Sequence, residues 1–217
     1  MAYQVDLHVH TRLGSLDSAA DPAEMVRVAA ARGIAAIGVT EHYRIWGSDE
    51  VRRYSRAGVA ILAGIEITTD QGHFLVFGVE RAPRGRTLTA LAEEVDAAGG
   101  AIIVAHPFRG RLDYWQRASL DTSFHPGLAA LAANGLVHAI EVRNNGCTES
   151  ENELARGLAH SCGLPAVAGS DAHVASDVGR QATRLDSLPR SGHELAALLR
   201  YRAREAAARL RNAIAAG

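Results

Sequence analysis

Two short stretches near opposite ends of the sequence carry histidine and aspartate at the same spacing. In DLHVHT, His8 and His10 stand two residues apart, and in GSDAH, Asp171 and His173 do the same. Residues two apart on a β-strand point to the same side of the sheet, so alternation places each pair on one face, with Asp6 beside the first pair. Imidazole and carboxylate groups together bind divalent metal ions. We therefore predict that the two stretches contribute ligands from two sides of one metal site.

Other apolar runs end in the same kinds of residues. The second run ends in VTEH, the third in GIE with a histidine shortly after it, and the fifth in AHP. In a parallel α/β barrel, the carboxyl ends of the strands form the rim on which active sites are built. The candidate metal ligands at this rim are six histidines and three carboxylates: His8, His10, His42, His73, His106, His173, Asp17, Glu66 and Asp171.

Nine ligands are more than one ion can take. Zinc takes about four ligands, and an octahedral ion about six including waters. We therefore expect two or three divalent ions (Mn²⁺, Zn²⁺ or Fe²⁺), with Glu66 or Asp171 as the bridging carboxylate. A single histidine at a strand end is ordinarily a hydrogen-bonded polar residue. We interpret the four remaining histidines in that way: His125, His138, His160 and His193.

Apolar runs alternate with helical patterns along the chain. Seven runs are expected to form strands: Tyr3–Val9, Ile34–Thr40, Val59–Ile67, Phe74–Val79, Ala101–Ala105, Leu136–Val142 and Pro165–Ala168. Helices are expected between them at Pro22–Arg32, Thr87–Ala98, Pro126–Ala133 and Glu149–His160. This alternation predicts βαβ units in a largely parallel sheet, closed or nearly closed into one barrel.

One connection departs from this pattern. The residues between Glu66 and His73 are too few for a crossover helix, so they predict a hairpin and an antiparallel fourth strand. A strict eight-fold barrel is therefore not expected.

The bulk composition is that of an ordinary globular protein. The 217 residues are 47% hydrophobic with a net charge of -1, which gives no general attraction to DNA or a membrane. Neither Cys147 nor Cys162 belongs to a CxxC pair, and no signal peptide or membrane span is visible, so we expect a cytoplasmic protein. We expect one domain over residues 1–217, with a C-terminal helix at Gly192–Ala216 packed on the barrel. The apolar stripe of that helix is formed by Leu195, Leu198, Leu199, Ala206 and Leu210.

Taken in order, these motifs resemble those of the PHP (polymerase and histidinol phosphatase) family. DLHVHT is similar to its first motif, VTEH to the second, GIEI with the following histidine to the third, AHP to a further metal motif and GSDAH to the last. The match runs from about residue 3 to residue 174. The resemblance implies a distorted (β/α)7 TIM-like barrel with a trinuclear site. It implies one ion on His8, His10, Glu66 and Asp171, a second on Glu66, His73 and His106, and a third on Asp17, His42 and His173.

The second motif departs from the family pattern. It usually reads Asp-His, whereas here it is Glu41-His42. Alternation turns Glu41 away from the face of His42. We therefore expect Glu41 to support the site and His42 to remain a ligand.

Clustered divalent ions favour phosphoester hydrolysis. They lower the pKa of a bridging water, so that a metal-bridged hydroxide attacks phosphorus, and they neutralise charge on the phosphoryl oxygens. Arginine can grip those oxygens with two parallel charge-assisted hydrogen bonds. Arg109 and Arg143 are candidates for catalysis and substrate binding, and Arg12 for substrate binding. We expect a phosphatase acting on a small phosphorylated metabolite or nucleotide.

Other functions compete with this one. A polymerase-associated nuclease is opposed by the near-neutral charge and the lack of an aromatic platform, but an exonuclease acting on oligonucleotide ends stays an alternative, with nucleic acid only as its substrate. A non-catalytic metal-bound scaffold would have lost ligands, whereas all nine are present. Amidohydrolases with this barrel commonly use a carboxylated lysine, and the chain has no lysine.

Overall fold

The computed structural model describes residues 2–110 and 127–216. Within these ranges the strands are β1 (Tyr3–Val9), β2 (Ile34–Glu41), β3 (Ala60–Thr69), β4 (Gly72–Phe77), β5 (Ala101–Val104), β6 (Ala139–Asn144), β7 (Ala166–Gly169) and β8 (Thr183–Leu185). The helices are α1 (Pro22–Ala31), α2 (Ser48–Tyr54), α3 (Leu88–Ala97), α4 (Leu128–Ala133), α5 (Glu149–Cys162) and α6 (Gly192–Ala216). In this part of the chain, no helix is long and apolar enough to cross a membrane.

The strands form one sheet in the order β7-β6-β5-β4-β3-β2-β1-β8. The pairs β1–β2, β2–β3, β5–β6 and β6–β7 are parallel, and β4 runs antiparallel to both of its neighbours. The hairpin expected between Glu66 and His73 is therefore confirmed, with Thr69 facing Gly72 across its turn. Because β4 runs antiparallel to both β3 and β5, those two strands are parallel to each other. The carboxyl ends of β1, β2, β3, β5, β6 and β7 therefore all lie at one rim.

The sheet closes on itself where the chain beyond β7 meets β1. Val9 and Ala172 form a parallel bridge, and the His10 N–H donates to the Ala172 carbonyl at 2.9 Å. The two motifs from opposite ends of the sequence are thereby neighbours. This nearly closed α/β barrel confirms the fold class expected from the sequence.

Two elements were not expected from the sequence. The short strand β8 pairs antiparallel with β1, and α2 carries no buried residue. Neither has the length or the apolar periodicity that a sequence pattern needs. The helix expected at Pro126–Ala133 is α4 from Leu128 onward, whereas Pro126 and His125 lie outside the described residues.

The helix α6 covers the barrel end opposite the rim. Leu195 and Leu199 pack in one buried cluster with residues at the first positions of parallel strands, among them Ala60, Ala101 and Ala139. These are the amino ends of β3, β5 and β6. The rim at the carboxyl ends is left for polar side chains.

Simple alternation fails within β1. The register of β1 against β2 shifts between Asp6 and Val9, so the strand carries an irregularity there. Leu7 packs in the cluster that contains α6, whereas Val9 packs in the cluster that contains Met25 of α1. The prediction that Asp6 shares a face with His8 and His10 is wrong for this reason. Its carboxylate instead accepts hydrogen bonds from the backbone N–H groups of Ser170 and Gly179.

Candidate metal centre

The structure brings all nine candidate ligands together at the rim. His8 lies on β1 and His10 just beyond it, His42 follows β2, Glu66 lies on β3 and His73 on β4. His106 follows β5, Asp171 and His173 follow β7, and Asp17 lies between β1 and α1. Three overlapping sets have donor atoms within 4.8 Å of one another: His10, His42 and His173; His8, Glu66 and His106; and His8, His10 and Asp171.

The innermost group consists of two imidazoles and two carboxylates. His8 Nε2 and His10 Nε2 lie 3.0 Å apart, and each lies 3.2–3.4 Å from Glu66 Oε2 and Asp171 Oδ1. Two ligand atoms of one tetrahedral zinc ion, each about 2.0 Å from the metal, lie about 3.3 Å apart. The Nε2 atoms of His8 and His10 therefore have the spacing of metal ligands, both to each other and to each of the two carboxylate oxygens.

The carboxylate of Glu66 connects this group to the others. Its Oε1 lies 2.9 Å from His73 Nδ1 and 3.2 Å from His106 Nε2, whereas its Oε2 lies 3.2 Å from His42 Nδ1 as well as near His8 and His10. The two oxygens thus face different sets of imidazoles. This is the placement that a bridging carboxylate needs.

The outer group centres on Asp17. Its Oδ2 lies 3.2 Å from both His42 Nε2 and His173 Nε2. The rings of His42 and His173 each stack on His10, with centroids 4.4 Å apart. The outer group is therefore continuous with the inner one.

Three imidazoles are oriented by acceptors behind them. His8 Nδ1 donates to Glu141 Oε1 at 3.1 Å, and His173 Nδ1 to the Asp171 carbonyl at 2.9 Å. The Ser15 hydroxyl gives its own hydrogen to Glu41, so at 3.1 Å it can only accept from His10 Nδ1. With the proton fixed on Nδ1, the Nε2 atom of each ring is left with its lone pair toward the centre, which is the tautomer that binds metal.

Glu41 supports the site, as its departure from the family motif led us to expect. Its buried carboxylate accepts hydrogen bonds from the Thr11 N–H at 3.0 Å, the Ser15 hydroxyl at 2.7 Å and the Trp46 indole at 3.0 Å. It also accepts from the Thr11 hydroxyl. Glu41 thus holds the loop after β1, and through Ser15 it holds the ring of His10.

Asp6 has a comparable role beneath the site. It accepts hydrogen bonds from the Ser170 N–H at 2.8 Å and the Gly179 N–H at 2.7 Å, which tie β1 to the chain after β7. Burial raises the pKa of Asp6 to about 6, although hydrogen bonds from Ser170, Gly179 and His8 oppose that shift. The buried carboxylate of Asp6 thus connects the DLHVHT motif to the GSDAH motif by hydrogen bonds.

The carboxylates at the centre are anionic despite their burial. Burial alone would raise the pKa of Glu66, but the surrounding imidazoles of His8, His10, His106 and His73 hold it well below its usual range. The pKa of Asp171 is likewise lowered, by His8 and His10, against the effect of burial. Buried anions of this kind require cationic partners, which divalent ions provide.

Two of the candidate ligands have strained backbones. His106 has a φ of 27° and Asp171 a φ of 54°, in the left-handed region that side-chain-bearing residues seldom adopt. The His106 N–H donates to Glu141 Oε2 at 2.9 Å, which helps to hold this conformation. Strain that the surroundings enforce in this way is typical of functional sites.

Of the three arginines expected to bind substrate, Arg109 lies at the cluster. Its Nη1 contacts Asp171 Oδ2, and its side chain is 42% exposed. Arg12 instead pairs with Asp21, the N-cap of α1, at 2.7 Å.

Arg143 is turned away from the centre by an irregularity in β6. The register of β6 against β7 shifts between Glu141 and Arg143, so these residues do not share a face in the way that alternation predicts. Arg143 is exposed and donates to Gln181 at 3.2 Å. Asn144 takes the inward position, and its amide donates to Glu141 Oε2 at 3.0 Å.

The fold and the donor set define a class of protein, namely α/β barrels that gather divalent ions at the carboxyl ends of their strands. A family described as PHP-associated matches residues 149–203. This match spans about a quarter of the chain and shows that the chain is similar to PHP-associated proteins over that stretch.

Two curated proteins have similar sequences. An uncharacterized protein of Methanocaldococcus jannaschii is 29% identical over 116 residues, which cover 48% of this chain and 68% of that protein. An error-prone DNA polymerase of Symbiobacterium thermophilum is 31% identical over 116 residues, 50% of this chain but 11% of the polymerase.

Solved structures show the same fold. A two-domain protein from Bacteroides vulgatus containing a predicted PHP-like metal-dependent phosphoesterase has a TM-score of 0.62 at 24% identity, covering 81% of this chain and 53% of that one. An amidohydrolase from Chromobacterium violaceum with bound sulfate also has a TM-score of 0.62, at 19% identity over 91% of this chain and 96% of that one. The fold is thus shared by proteins named for different hydrolytic reactions.

Proposed function

We propose that the protein is a metal-dependent phosphatase that hydrolyses a small phosphomonoester, a metabolite or a nucleotide. The observation that carries this proposal is the convergence of five imidazoles around the two oxygens of Glu66, with the Arg109 guanidinium on the neighbouring Asp171. Two or three ions of manganese, zinc or iron fit the nine candidate ligands of the whole cluster. Divalent ions bound there would lower the pKa of a bound water and neutralise charge on phosphoryl oxygens.

The residues of the chain would position both the ions and the substrate. His8, His10 and His173 would present Nε2 in a fixed tautomer, and Glu66 would span adjacent ions through its separate oxygens. Such a rigid set of ligands reduces the reorganisation needed during the reaction.

Arg109 would bind the phosphate group. Its guanidinium lies on Asp171 and also reaches solvent, so it stands between the ligand cluster and the entrance. The planar guanidinium matches two phosphate oxygens at once.

The test is hydrolysis of a panel of phosphomonoesters by the purified protein with Mn²⁺. We expect turnover that EDTA abolishes and Mn²⁺ restores, and loss of at least about 100-fold in kcat in His10→Ala, because that change removes a ligand of the inner group. His160→Ala is the matched control, because His160 is exposed on α5. Unchanged turnover in His10→Ala with a native circular dichroism spectrum would refute the proposal.

A second candidate, cleavage of a phosphodiester at an oligonucleotide end, is supported by the surroundings of the outer group. Leu16, Tyr43 and Val174 are 91%, 68% and 44% exposed, and each directly adjoins one of the candidate ligands Asp17, His42 and His173 in the sequence. The Tyr43 ring lies 6.1 Å from that of His42, where a nucleobase could stack on it.

The two candidates differ in their response to loss of Tyr43. If an oligonucleotide is the substrate, Tyr43→Ala should raise KM for a dinucleotide by roughly 10-fold, because base stacking on an aromatic ring is lost. Tyr201→Ala is the control, because Tyr201 is similarly exposed at 61% but lies on α6. Equal KM values in both variants would favour the phosphomonoester.

A further inference from the structure

A cleft of about 260 Å³ opens beside the candidate metal centre. It is lined by the hairpin between β3 and β4 and by the segment after β5, through Gln71, Gly72, His73, Ala105, His106, Pro107 and Arg109. His73 and His106 are candidate ligands, and Arg109 is the proposed phosphate-binding residue. A phosphate held between these groups would direct the rest of its substrate into this cleft.

Gln71 lines the cleft but is neither a candidate metal ligand nor the proposed phosphate-binding residue. Its Oε1 is buried without a hydrogen-bond partner among the described residues. A buried polar group without a partner costs about 1–3 kcal/mol, so native proteins seldom leave one in place without a reason. The terminal torsion of glutamine is soft, so its amide can present either the oxygen or the NH₂ group to a ligand.

The backbone of Gln71 is held firmly in place. The Gln71 N–H donates to the Thr69 hydroxyl at 3.1 Å. The preceding residue, Asp70, accepts from the Leu88 N–H at 3.0 Å and donates to the Arg86 carbonyl at 3.0 Å, which anchors the turn to the start of α3. The backbone that carries the Gln71 side chain is therefore fixed at the wall of the cleft.

The chemistry of the lining indicates what the cleft would accept. An amide both donates and accepts hydrogen bonds, and so does a hydroxyl group. The lining also includes the apolar residues Ala105 and Pro107, which suit the carbon backbone of a short chain. The volume is below the roughly 300–1,000 Å³ of sites for drug-sized ligands, which favours a small molecule.

We propose that Gln71 determines specificity by hydrogen-bonding a hydroxyl group on the alcohol portion of the substrate, so that the enzyme acts on small polyol or sugar phosphates. This inference rests on the proposed phosphatase function and narrows its substrate class. A site built to hydrogen-bond a hydroxyl rejects an analogue that lacks it, because its own polar group then stays unpaired.

The experiment compares glycerol 1-phosphate with propyl phosphate, which has the same carbon chain without the two hydroxyls. The wild type with Mn²⁺ should have a kcat/KM at least roughly 10-fold higher for glycerol 1-phosphate. In Gln71→Leu that ratio should fall to near one, because the hydrogen bond that distinguishes the two substrates is lost. The matched control is Gln4→Leu, because Gln4 lies on β1 near the amino end of the barrel and should keep the wild-type ratio.

Binding gives a readout that does not depend on turnover. Calorimetric titration of the two non-hydrolysable phosphonates, 3,4-dihydroxybutylphosphonate and butylphosphonate, should show the same preference in the wild type and its loss in Gln71→Leu. If Gln71→Leu does not fold, Gln71→Asn, which withdraws the amide by one methylene, should reduce the ratio.

Two results would overturn the inference. One is a wild type that does not distinguish the two substrates, and the other is a ratio that Gln71→Leu and Gln71→Asn leave unchanged. Failure of the wild type to hydrolyse any phosphomonoester would contradict the proposed function instead, so the two failures are distinguishable.

Discussion

The imidazole of His8 is oriented by a partner that lies far away in the sequence. His8 donates across the barrel to Glu141, which is buried and also accepts from the His106 N–H and the Asn144 amide. A carboxylate behind a metal-binding histidine fixes its tautomer and makes it a stronger ligand. The candidate ligands could be chosen from motif spacing, but Glu141 could not, because nothing in a strand sequence shows what it faces across a barrel.

We predict that Glu141→Gln weakens metal binding while leaving the fold intact. The glutamine oxygen can still accept from His8 Nδ1, so the ring keeps its place, but the negative charge behind it is lost. Mn²⁺ affinity measured by calorimetry should fall about 10- to 100-fold. Glu153→Gln is the control, because Glu153 is exposed on α5, and equal affinities of the two variants would contradict the assigned role.

At the scale of elements, the site depends on close approach between β7 and β1. A Cβ atom added to Gly169 at the end of β7 would overlap His8 Cβ and lie 2.6 Å from Glu141 Oε1. Glycine is therefore required where β7 passes behind the pair formed by His8 and Glu141. This follows from the closure of the sheet between its first and last parallel strands.

Gly169→Ala should consequently displace His8 from Glu141. We expect a lower melting temperature, and metal affinity reduced at least as far as in Glu141→Gln. Gly157→Ala offers a matched control, because Gly157 lies within α5 and a Cβ there meets nothing within 4 Å. That variant should be neutral or more stable by about 0.5–1 kcal/mol. Native metal binding in Gly169→Ala would show that the contact is not critical.

Irregularities in two strands explain why the positions of some site residues could not be predicted from the sequence. The parallel strands and the hairpin could be predicted from apolar runs and turn length. The irregularities in β1 and β6 could not, because one extra residue in a strand leaves no compositional trace. Asp6 and Arg143 were therefore assigned to the wrong face, and Asn144 was overlooked.

In the molecule as a whole, the two ends of the barrel have different structural roles. The rim holds the metal-ligand cluster, whereas α6 seals the other end and Arg200 ties it to α3 through Asp96 at 2.8 Å and to the Gly100 carbonyl at 2.9 Å. His138 lies at this sealed end, where its Nδ1 accepts from the Ile102 N–H at 3.1 Å. Its structural role, as interpreted from the sequence, agrees with this contact.

His138 should make the fold sensitive to acid. Burial is the main cause that lowers the pKa of His138 from 6.5 to about 4. The charge of Arg200 lowers it further, whereas Asp96 opposes the shift. Between about pH 4 and pH 6.5 the unfolded chain binds more protons than the folded chain. The free energy of unfolding therefore falls by roughly 2–3 kcal/mol as the pH drops from about 6.5 to 4.

Denaturant unfolding in EDTA at a series of pH values measures this contribution. His138→Asn keeps an acceptor for the Ile102 N–H but does not titrate, so its stability should depend less steeply on pH over that window. The difference between wild type and variant isolates His138 from the metal ligands, which titrate in both proteins. Identical pH profiles would rule out the assigned contribution.

The central claim is that this cluster binds divalent ions in order to hydrolyse a phosphoester. The most direct measurement determines, on the same samples, the number of Mn²⁺ ions bound per chain and kcat/KM for a small phosphomonoester during stepwise metal loading. The account predicts that activity appears as two or more ions bind and disappears on chelation. A fully loaded chain that hydrolyses no phosphoester, or a metal-free chain with undiminished activity, would contradict it.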